Sequence, residues 1–388
     1  DDLKLQTLGQ QALGNLLERQ GDHNAALEWL KQSKAGFTQL GDSAGVSDVL
    51  EDIGSVYWQQ GDYEAARALT TESLNLCRSL GDKMCIAHAL QNLGNVAFDQ
   101  DDYDAAQALY QESLELWREL GNRLGAASLL SNLGLVARNH GSYEAARELF
   151  DESLIMRREL GDRWGVADSL NCLGDVAKNL GDLDKAQALH EESWRLFQEM
   201  GDKGRIAGAL DDLGVVAYLQ HDYEKARAFF EESVAMFREL KEKPDIANSL
   251  NNLGLAAARL GDSVRAAAIF RESLTLCHEL GDKLGVAENL AGLAGVLCKD
   301  LSGLRPSASL RGATQDLTGL KHAARLAGAV HALLDHINAV LGPADRADYE
   351  RLLDNLRAKL GEEAFKQAWV EGLAMSLEEA VSYGLQEA

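Results

Sequence analysis

Proline is nearly missing from this chain, with three in 388 residues and none before Pro244. Because proline breaks helix interiors, its scarcity leaves long helices open to most of the sequence. No apolar run reaches the length of a membrane span, and no basic-then-apolar leader is visible, so neither a spanning helix nor a secretion signal is expected. Basic charge is short: 38 Lys and Arg stand against 61 Asp and Glu, a formal net charge of −23. Phosphate backbones need a basic stripe, so nucleic acid is excluded as a partner, and cationic partners are favoured. Residues 301–388 hold 12 acids and 9 bases, so −20 of that charge lies on residues 1–300. The five cysteines (Cys77, Cys85, Cys172, Cys277, Cys298) are odd in number and show no CxxC spacing. That pattern argues against a metal or dithiol motif and for a reducing, cytoplasmic home. Cys77 and Cys277 share one position in the pattern described next and are expected to be small core residues.

What is present is repetition. "LQNLGNVAFDQDDYDAA" at 90–106 returns at a fixed step of 40 residues: "LEDIGSVYWQQGDYEAA" from 50, "LSNLGLVARNHGSYEAA" from 130, "LNCLGDVAKNLGDLDKA" from 170, "LDDLGVVAYLQHDYEKA" from 210, "LNNLGLAAARLGDSVRA" from 250. A constant period of this size marks a stacked array whose units bury apolar faces against their neighbours. Within a unit, Ile86, Ala87, Leu90, Leu93, Val96 and Ala97 fall at helical spacing, followed by Ala106, Leu109, Leu114, Leu116 and Leu120. Each unit is therefore two amphipathic helices. The first ends at Gly61-Asp62, Asp101-Asp102, Gly181-Asp182 or Gly261-Asp262, and the second at Gly41, Gly81, Gly121, Gly161, Gly201 or Gly281. Glycine suits a left-handed helix end and Asp caps the next helix. Fixed small slots recur at Gly14, Gly54, Gly94, Gly134, Gly174, Gly214 and Gly254, and at Ala26, Ala66, Ala106, Ala146, Ala186, Ala226 and Ala266. Glycine inside a helix costs about 1 kcal/mol, so its recurrence implies close helix contact.

This Leu-Gly, aromatic, Ala arrangement resembles the tetratricopeptide repeat over roughly residues 4–300. It departs in its 40-residue length, against about 34, and in lacking a closing proline. The variant is similar to the repeats of kinesin light chain, Leu-Gly-Asn adaptors and bacterial regulators. The resemblance implies an all-α, right-handed superhelix, an α-solenoid that binds a peptide or protein ligand and is not an enzyme. Seven complete units are expected, beginning near residues 4, 44, 84, 124, 164, 204 and 244, with an unpaired helix at about 284–300. Residues 1–300 thus form the array, 301–320 read as a loop rich in Ser, Gly and Pro, and 321–388 as a C-terminal helical cap. The tail is similar to the end of large bacterial regulators of the STAND ATPase and LuxR type. That likeness implies bacterial signalling, and with a start that lacks Met it suggests an upstream ATPase or DNA-binding domain.

No GxxxxGK[ST] or GxGxxG follows a strand pattern, and no strand pattern is present, so no nucleotide cofactor is expected. His331 and His336 lie five apart, outside the spacing of a zinc helix, and no metal is expected. The run Asp99, Asp101, Asp102 and Asp104 lacks the Gly and distal Glu of a calcium loop and reads as a helix cap. The Glu-Ser pairs (Glu72-Ser73, Glu112-Ser113, Glu152-Ser153, Glu192-Ser193) have no His at constant spacing and read as packing positions.

What remains is a groove. Positions 2, 5, 9, 12 and 13 of each first helix share one face at about 100° per residue, and they vary while the small slots do not. The resemblance puts this face on the concave side. The expected ligand-binding residues are His88, Gln91, Asn95, Phe98 and Asp99; Ser131, Arg138 and Asn139; Asn171, Asp175, Lys178 and Asn179; Asp211, Tyr218 and Asn251. Amides can hold a peptide backbone and aromatics can form pockets. Six acids (Asp48, Glu51, Asp99, Asp168, Asp175, Asp211) outnumber three bases (Arg138, Lys178, Arg259), which favours an extended, cationic peptide. The alternatives are docking of another domain of the same chain and oligomerisation. The tail could itself fill the groove through Arg305 and Arg311.

Overall fold

The computed structural model describes residues 2–300, 310–341 and 343–386, and among them every regular element is a helix. Seven pairs follow one another: α1 (Asp2–Arg19) and α2 (His23–Leu40), α3 (Ser43–Gln59) and α4 (Tyr63–Leu80), α5 (Lys83–Asp99) and α6 (Tyr103–Glu119), α7 (Arg123–Asn139) and α8 (Tyr143–Leu160), α9 (Arg163–Asn179) and α10 (Leu183–Met200), α11 (Lys203–Leu219) and α12 (Tyr223–Leu240), α13 (Lys243–Leu260) and α14 (Ser263–Leu280). The remainder is α15 (Lys283–Asp300), α16 (Leu310–Ile337), α17 (Pro343–Leu360), α18 (Glu362–Leu373) and α19 (Leu377–Leu385). The chain forms two compact units, residues 1–182 and 183–388.

Turn chemistry sets the period. Asp62, Asp102, Asp222 and Asp262 each accept a hydrogen bond from the backbone N–H three residues on, which satisfies a donor the new helix cannot pair. The preceding residue takes left-handed backbone: Gly61 at φ 77° and Gly261 at φ 86°, but also Asp101 at φ 59° and His221 at φ 65°. Lys241 does the same at φ 64° and closes α12. A side chain there is strained by about 1 kcal/mol. Lys241→Gly is therefore expected to raise unfolding stability by about that amount, read as a higher urea midpoint at unchanged slope. Pro244 lies in the first turn of α13, where its missing N–H costs no helical bond.

Inside the pairs α7–α8 and α13–α14 the small slots have physical partners. A Cβ on Gly134 would meet the Phe150 ring at 2.7 Å, and one on Gly254 the Phe270 ring at 2.7 Å. Ala106, Ala146, Ala226 and Ala266 are fully buried. The serine of three Glu-Ser pairs ties second helix to first: Ser113 Oγ donates to the Ala87 carbonyl (2.7 Å), Ser153 to Ala127 (2.8 Å) and Ser273 to Ala247 (2.7 Å). The glutamate faces outward, where Glu112 pairs with Arg78 (3.1 Å) and Glu152 with Arg118 (2.9 Å). These exposed pairs are worth under about 1 kcal/mol each and set register more than stability.

Two expectations change in the second unit. The helix α16 starts at Leu310, inside the stretch expected as loop, and residues 301–309 lie outside the described residues. Glycines 312 and 319 cost helix propensity, but Leu320, Ala323, Ala324 and Ala327 are buried in the core that contains α15, which outweighs it. For the same reason α15 is not unpaired, since α16 packs along it as a second helix would. Beyond it, α18 crosses α16 and α19 rests against α14 and α15. The capping box of Ser376 and Glu379 starts α19. Arg271 donates to the carbonyls of Gly384 (3.4 Å) and Gln386 (3.1 Å), and His322 stacks on Tyr383 at 4.0 Å. The tail thus caps the last apolar face of its unit.

Candidate functional site

In the first unit the odd-numbered helices α1 to α9 lie side by side, and the residues singled out in the sequence from His88 to Asn179 lie along α5, α7 and α9, while Asp211, Tyr218 and Asn251 lie on α11 and α13 of the second unit. Much of their polarity is spent between neighbouring helices. Gln11 Nε2 donates to Asp52 (2.7 Å), Asn92 Nδ2 to Glu51 (3.3 Å), and Trp58 Nε1 to Asp99 (2.5 Å). Tyr110 Oη donates to Asn95 Oδ1 (2.8 Å), and Asn132 reaches the same oxygen at 3.4 Å. Arg138 donates to Asp175 (2.9 Å), which Lys178 also meets at 2.7 Å. His88 sets its ring edge-on to Trp117 at 4.7 Å, and Phe98 packs on Tyr103 at 5.4 Å. Ser131 is only 5% exposed and shares its hydroxyl with Ser153 (2.9 Å), so it faces the core rather than solvent. Asn139 and Asn179 are exposed at the ends of α7 and α9, Asn171 and Gln91 half-buried.

Two residues outside the expected set share this face, and a third holds the equivalent position in the second unit. Asn92, Asn132 and, in the second unit, Asn252 each reach back one repeat, the last donating to Asp211 at 3.0 Å. Their signal was the recurring asparagine before Leu-Gly, which is a rivet between first helices.

With Arg138 and Lys178 paired to Asp175, the acids of α3 and α5 are left without basic neighbours. Asp48 is held above the usual carboxylate range by partial burial and by Asp82 and Asp42, opposed only by His88. Burial pushes Glu51 up to about 7, with Asp48 and Asp52 adding to the rise and the Ser73 hydroxyl opposing it. Burial also holds the His88 imidazole below its usual value. This wall attracts cations.

In the second unit α17 lies over the corresponding face of α13 and α15. Asp348 pairs with Arg259, whose Nε donates to Tyr218 Oη at 2.8 Å; Tyr349 Oη donates to the Ala327 carbonyl (2.6 Å) and Lys359 Nζ to that of Cys298 (3.0 Å). Between them is a cavity of about 480 Å³ lined by Asn251, Leu255, Glu288, Gly292, Asp348 and Leu352 among others. Asn251 is 8% exposed and its Oδ1 has no hydrogen-bond partner. Part of the tail therefore does reach this face, through α17. Arg305 and the Arg311 side chain lie outside the described residues.

The cysteines differ from expectation. Cys277 is a buried thiol pushed up to about 11 by burial, as a core residue should be. Cys77, in the same slot, instead forms a disulfide with Cys85, because the turn at Gly81 returns the chain and places their Cα atoms 5.6 Å apart. Spacing rules that look for CxxC do not see a pair held eight residues apart across a helix turn.

No helix among the described residues is long and apolar enough to cross a membrane. No curated protein shows significant sequence similarity to this chain. Among solved structures, a Rap protein complexed with Competence and Sporulation Factor is 14% identical, with TM-score 0.58 over 93% of this chain and 99% of that one. The apo form of the quorum sensor NprR from B. thuringiensis is 16% identical, TM-score 0.56, over 70% and 76%. A Pyrococcus horikoshii STAND protein with a tetratricopeptide repeat sensor is 16% identical, TM-score 0.56, over 71% of this chain and 42% of that one. At these identities the likeness is one of fold. Family models described as tetratricopeptide repeat match residues 5–79, 85–159 and 165–239, and a further one 212–277. Paired helices, small slots, recurring caps and these matches agree: the chain is a repeat scaffold and belongs to the tetratricopeptide repeat family.

Proposed function

We propose that this chain is a non-catalytic recognition arm of a bacterial signalling regulator, acting in the cytoplasm and holding an extended cationic peptide or protein segment on the face of α3, α5, α7 and α9. The observation that carries this reading is electrostatic. The bases Arg138 and Lys178 are spent on Asp175, while Asp48, Glu51 and Asp99 face no lysine or arginine. Gln91, Asn139, Asn171 and Asn179 supply amides for a peptide backbone, and Phe98 and Trp58 supply apolar contact. The neighbours support this: one is solved in complex with Competence and Sporulation Factor, one is a quorum sensor, and one carries its repeats as a sensor. Partner capture would act on an upstream ATPase or regulatory domain only by binding its two states unequally.

The test is a peptide array graded in Lys and Arg content, followed by titration of the strongest binder. Asp48→Asn with Asp99→Asn is expected to weaken binding about tenfold and to flatten its salt dependence without lowering the melting temperature. Unchanged affinity in that variant removes the face from consideration.

A second reading has its own observation. In residues 183–388 the tail helix α17 covers the equivalent face, pinned by Asp348 and Arg259. There the scaffold docks a segment of its own chain, and the open ligand face is that of the first unit.

A further inference from the structure

Three helices of the first unit converge where α4 ends and α5 begins. Cys77 is fully buried in the last turn of α4, and Cys85 is in the first turn of α5. From α3 comes Glu51, so that two sulfurs and a carboxylate oxygen all lie within 4.8 Å of one another. The surroundings hold these groups in place. Ser73 Oγ donates to Glu51 Oε1 at 3.1 Å, and Asn92 Nδ2 to Glu51 Oε2 at 3.3 Å. Cys85 Sγ lies 3.6 Å from Ser47 Oγ, and Cys77 Sγ lies 3.7 Å from Ser73 Oγ. Hydrogen bonds of this kind fix a ligand's orientation before a cation arrives. The carboxyl is mostly out of water, and the charges that raise its affinity for a proton are Asp48 and Asp52. A buried acid among acids has no internal counter-charge.

The repeat provides its own comparison. The slots of Glu51, Cys77 and Cys85 are filled one period later by Gln91, Trp117 and Gly125, and then by Ser131, Arg157 and Gly165. The slot that repeats cysteine, Cys277, is accompanied by Asn251 and Gly285. These others are packing arrangements, and the cluster on α3, α4 and α5 brings three metal-ligating groups together without being asked to by the repeat.

We propose that the disulfide and a thiophilic divalent cation of the Zn²⁺ class are alternative occupants of the Cys77, Cys85 and Glu51 cluster, the cation binding once the disulfide is reduced. A dithiol reductant delivers two electrons and two protons to the sulfur–sulfur bond and leaves as its own cyclic disulfide. The cation then displaces the protons of both thiols and of the carboxyl, and these pass to solvent. Two thiolates and one carboxylate make three of four tetrahedral positions, and water takes the fourth. In the reverse direction a small-molecule disulfide accepts the two electrons by thiol–disulfide exchange and leaves as two thiols, the Cys77–Cys85 bond re-forms, and the ion, now without its thiolates, passes to solvent.

Co²⁺ is the probe, because thiolate ligation gives it a charge-transfer band and tetrahedral geometry an intense d–d band. The dithiothreitol-reduced protein, freed of reductant under argon, is expected to show both bands and to saturate at one equivalent. The disulfide form is expected to show neither. Glu51→Gln in the reduced state should weaken Co²⁺ binding by about tenfold or more, and Cys85→Ala should remove the charge-transfer band while Cys172→Ala keeps it. Circular dichroism of each variant establishes that it is folded, and Glu51→Gln leaves both sulfurs in place. Absence of a charge-transfer band in the reduced wild-type protein overturns the proposal, as does equal affinity in Glu51→Gln or an unchanged band in Cys85→Ala.

Discussion

Phe270→Ala is expected to lower the stability of the second unit by about 3–5 kcal/mol, the cost of emptying a well-packed aromatic site. Phe270 is fully buried on α14, and its ring rests against two neighbours at once. A Cβ on Gly254 of α13 would sit 2.7 Å from the ring, and one on Gly292 of α15 would sit 2.6 Å away. The two glycines are therefore the walls of a slot that only this ring fills. In a stacked array, stability is close to a sum of nearest-neighbour interfaces, and this side chain belongs to two of them. The truncation leaves no unpaired polar group, so the loss should appear as a lower urea midpoint with the slope retained. Adding Gly254→Leu to Phe270→Ala should recover part of the loss, because the new side chain grows into the void. A cost under about 1 kcal/mol for Phe270→Ala would mean that the slot collapses freely, contrary to the tight packing of cores.

That slot shows what could and could not be read in advance. Gly254 and Ala266 stand out in the sequence because small residues inside helices are costly and these recur without slippage. The ring that needs them does not stand out: its slot holds Leu30, Thr70, Tyr110, Phe150, His190, Phe230 and Phe270, a set with no common chemistry. Only the close approach of two helices gives those residues one role. The recurring serine is similar. As half of a Glu-Ser pair it looks like surface polarity, yet Ser113, Ser153 and Ser273 are fully buried and bonded to carbonyls of the partner helix.

On the candidate face, periodicity gives which residues lie along the first helices and leaves open what they touch. Asn95 reads as a peptide-binding amide, but its oxygen is taken by Tyr110, a second-helix residue 15 positions away. Arg138 and Asp175, separated by 37 residues, read as independent ligand contacts and form an ion pair. Pairing across one repeat step depends on rotamer and helix offset, which spacing does not encode. The same holds for Cys77, whose slot it shares with Cys277 but whose neighbour across the turn it does not. Tail helix α17 over α13 and α15 was legible only as an amphipathic segment, because the core that buries its Tyr349, Leu352 and Leu356 is built from helices whose meeting the spacing does not encode.

Gly372→Val should detach α18 and α19 from the second unit, at a cost of about 3 kcal/mol or more. Here the obstacle is main chain. A Cβ on Gly372 would run into the Arg325 carbonyl and lie 3.0 Å from the Ala329 nitrogen, while one on Gly328 would lie 3.1 Å from the Leu373 nitrogen and 3.2 Å from the Gly372 Cα. Side chains can turn aside from an added methyl group, but two helix backbones cannot. Separation of α18 from α16 removes the ion pair of Arg325 with Glu371 and the stack of His322 on Tyr383. It also lifts Gly384 off Leu290, uncovering the end of the apolar core at Leu274, Leu290 and Leu293. Amide hydrogen exchange should therefore become fast through residues 362–385 while α11 to α13 stay protected, because each repeat answers mainly to its neighbours. Gly208→Ala is the matched control, since no atom lies within 4 Å of its Cβ position, and it should gain up to about 1 kcal/mol of helix propensity. If Gly372→Val left exchange at residues 377–385 unchanged, the docking would have to rest on the polar contacts of Arg271 and Arg325 alone. Exposed pairs of that kind are too weak to hold two helices in place.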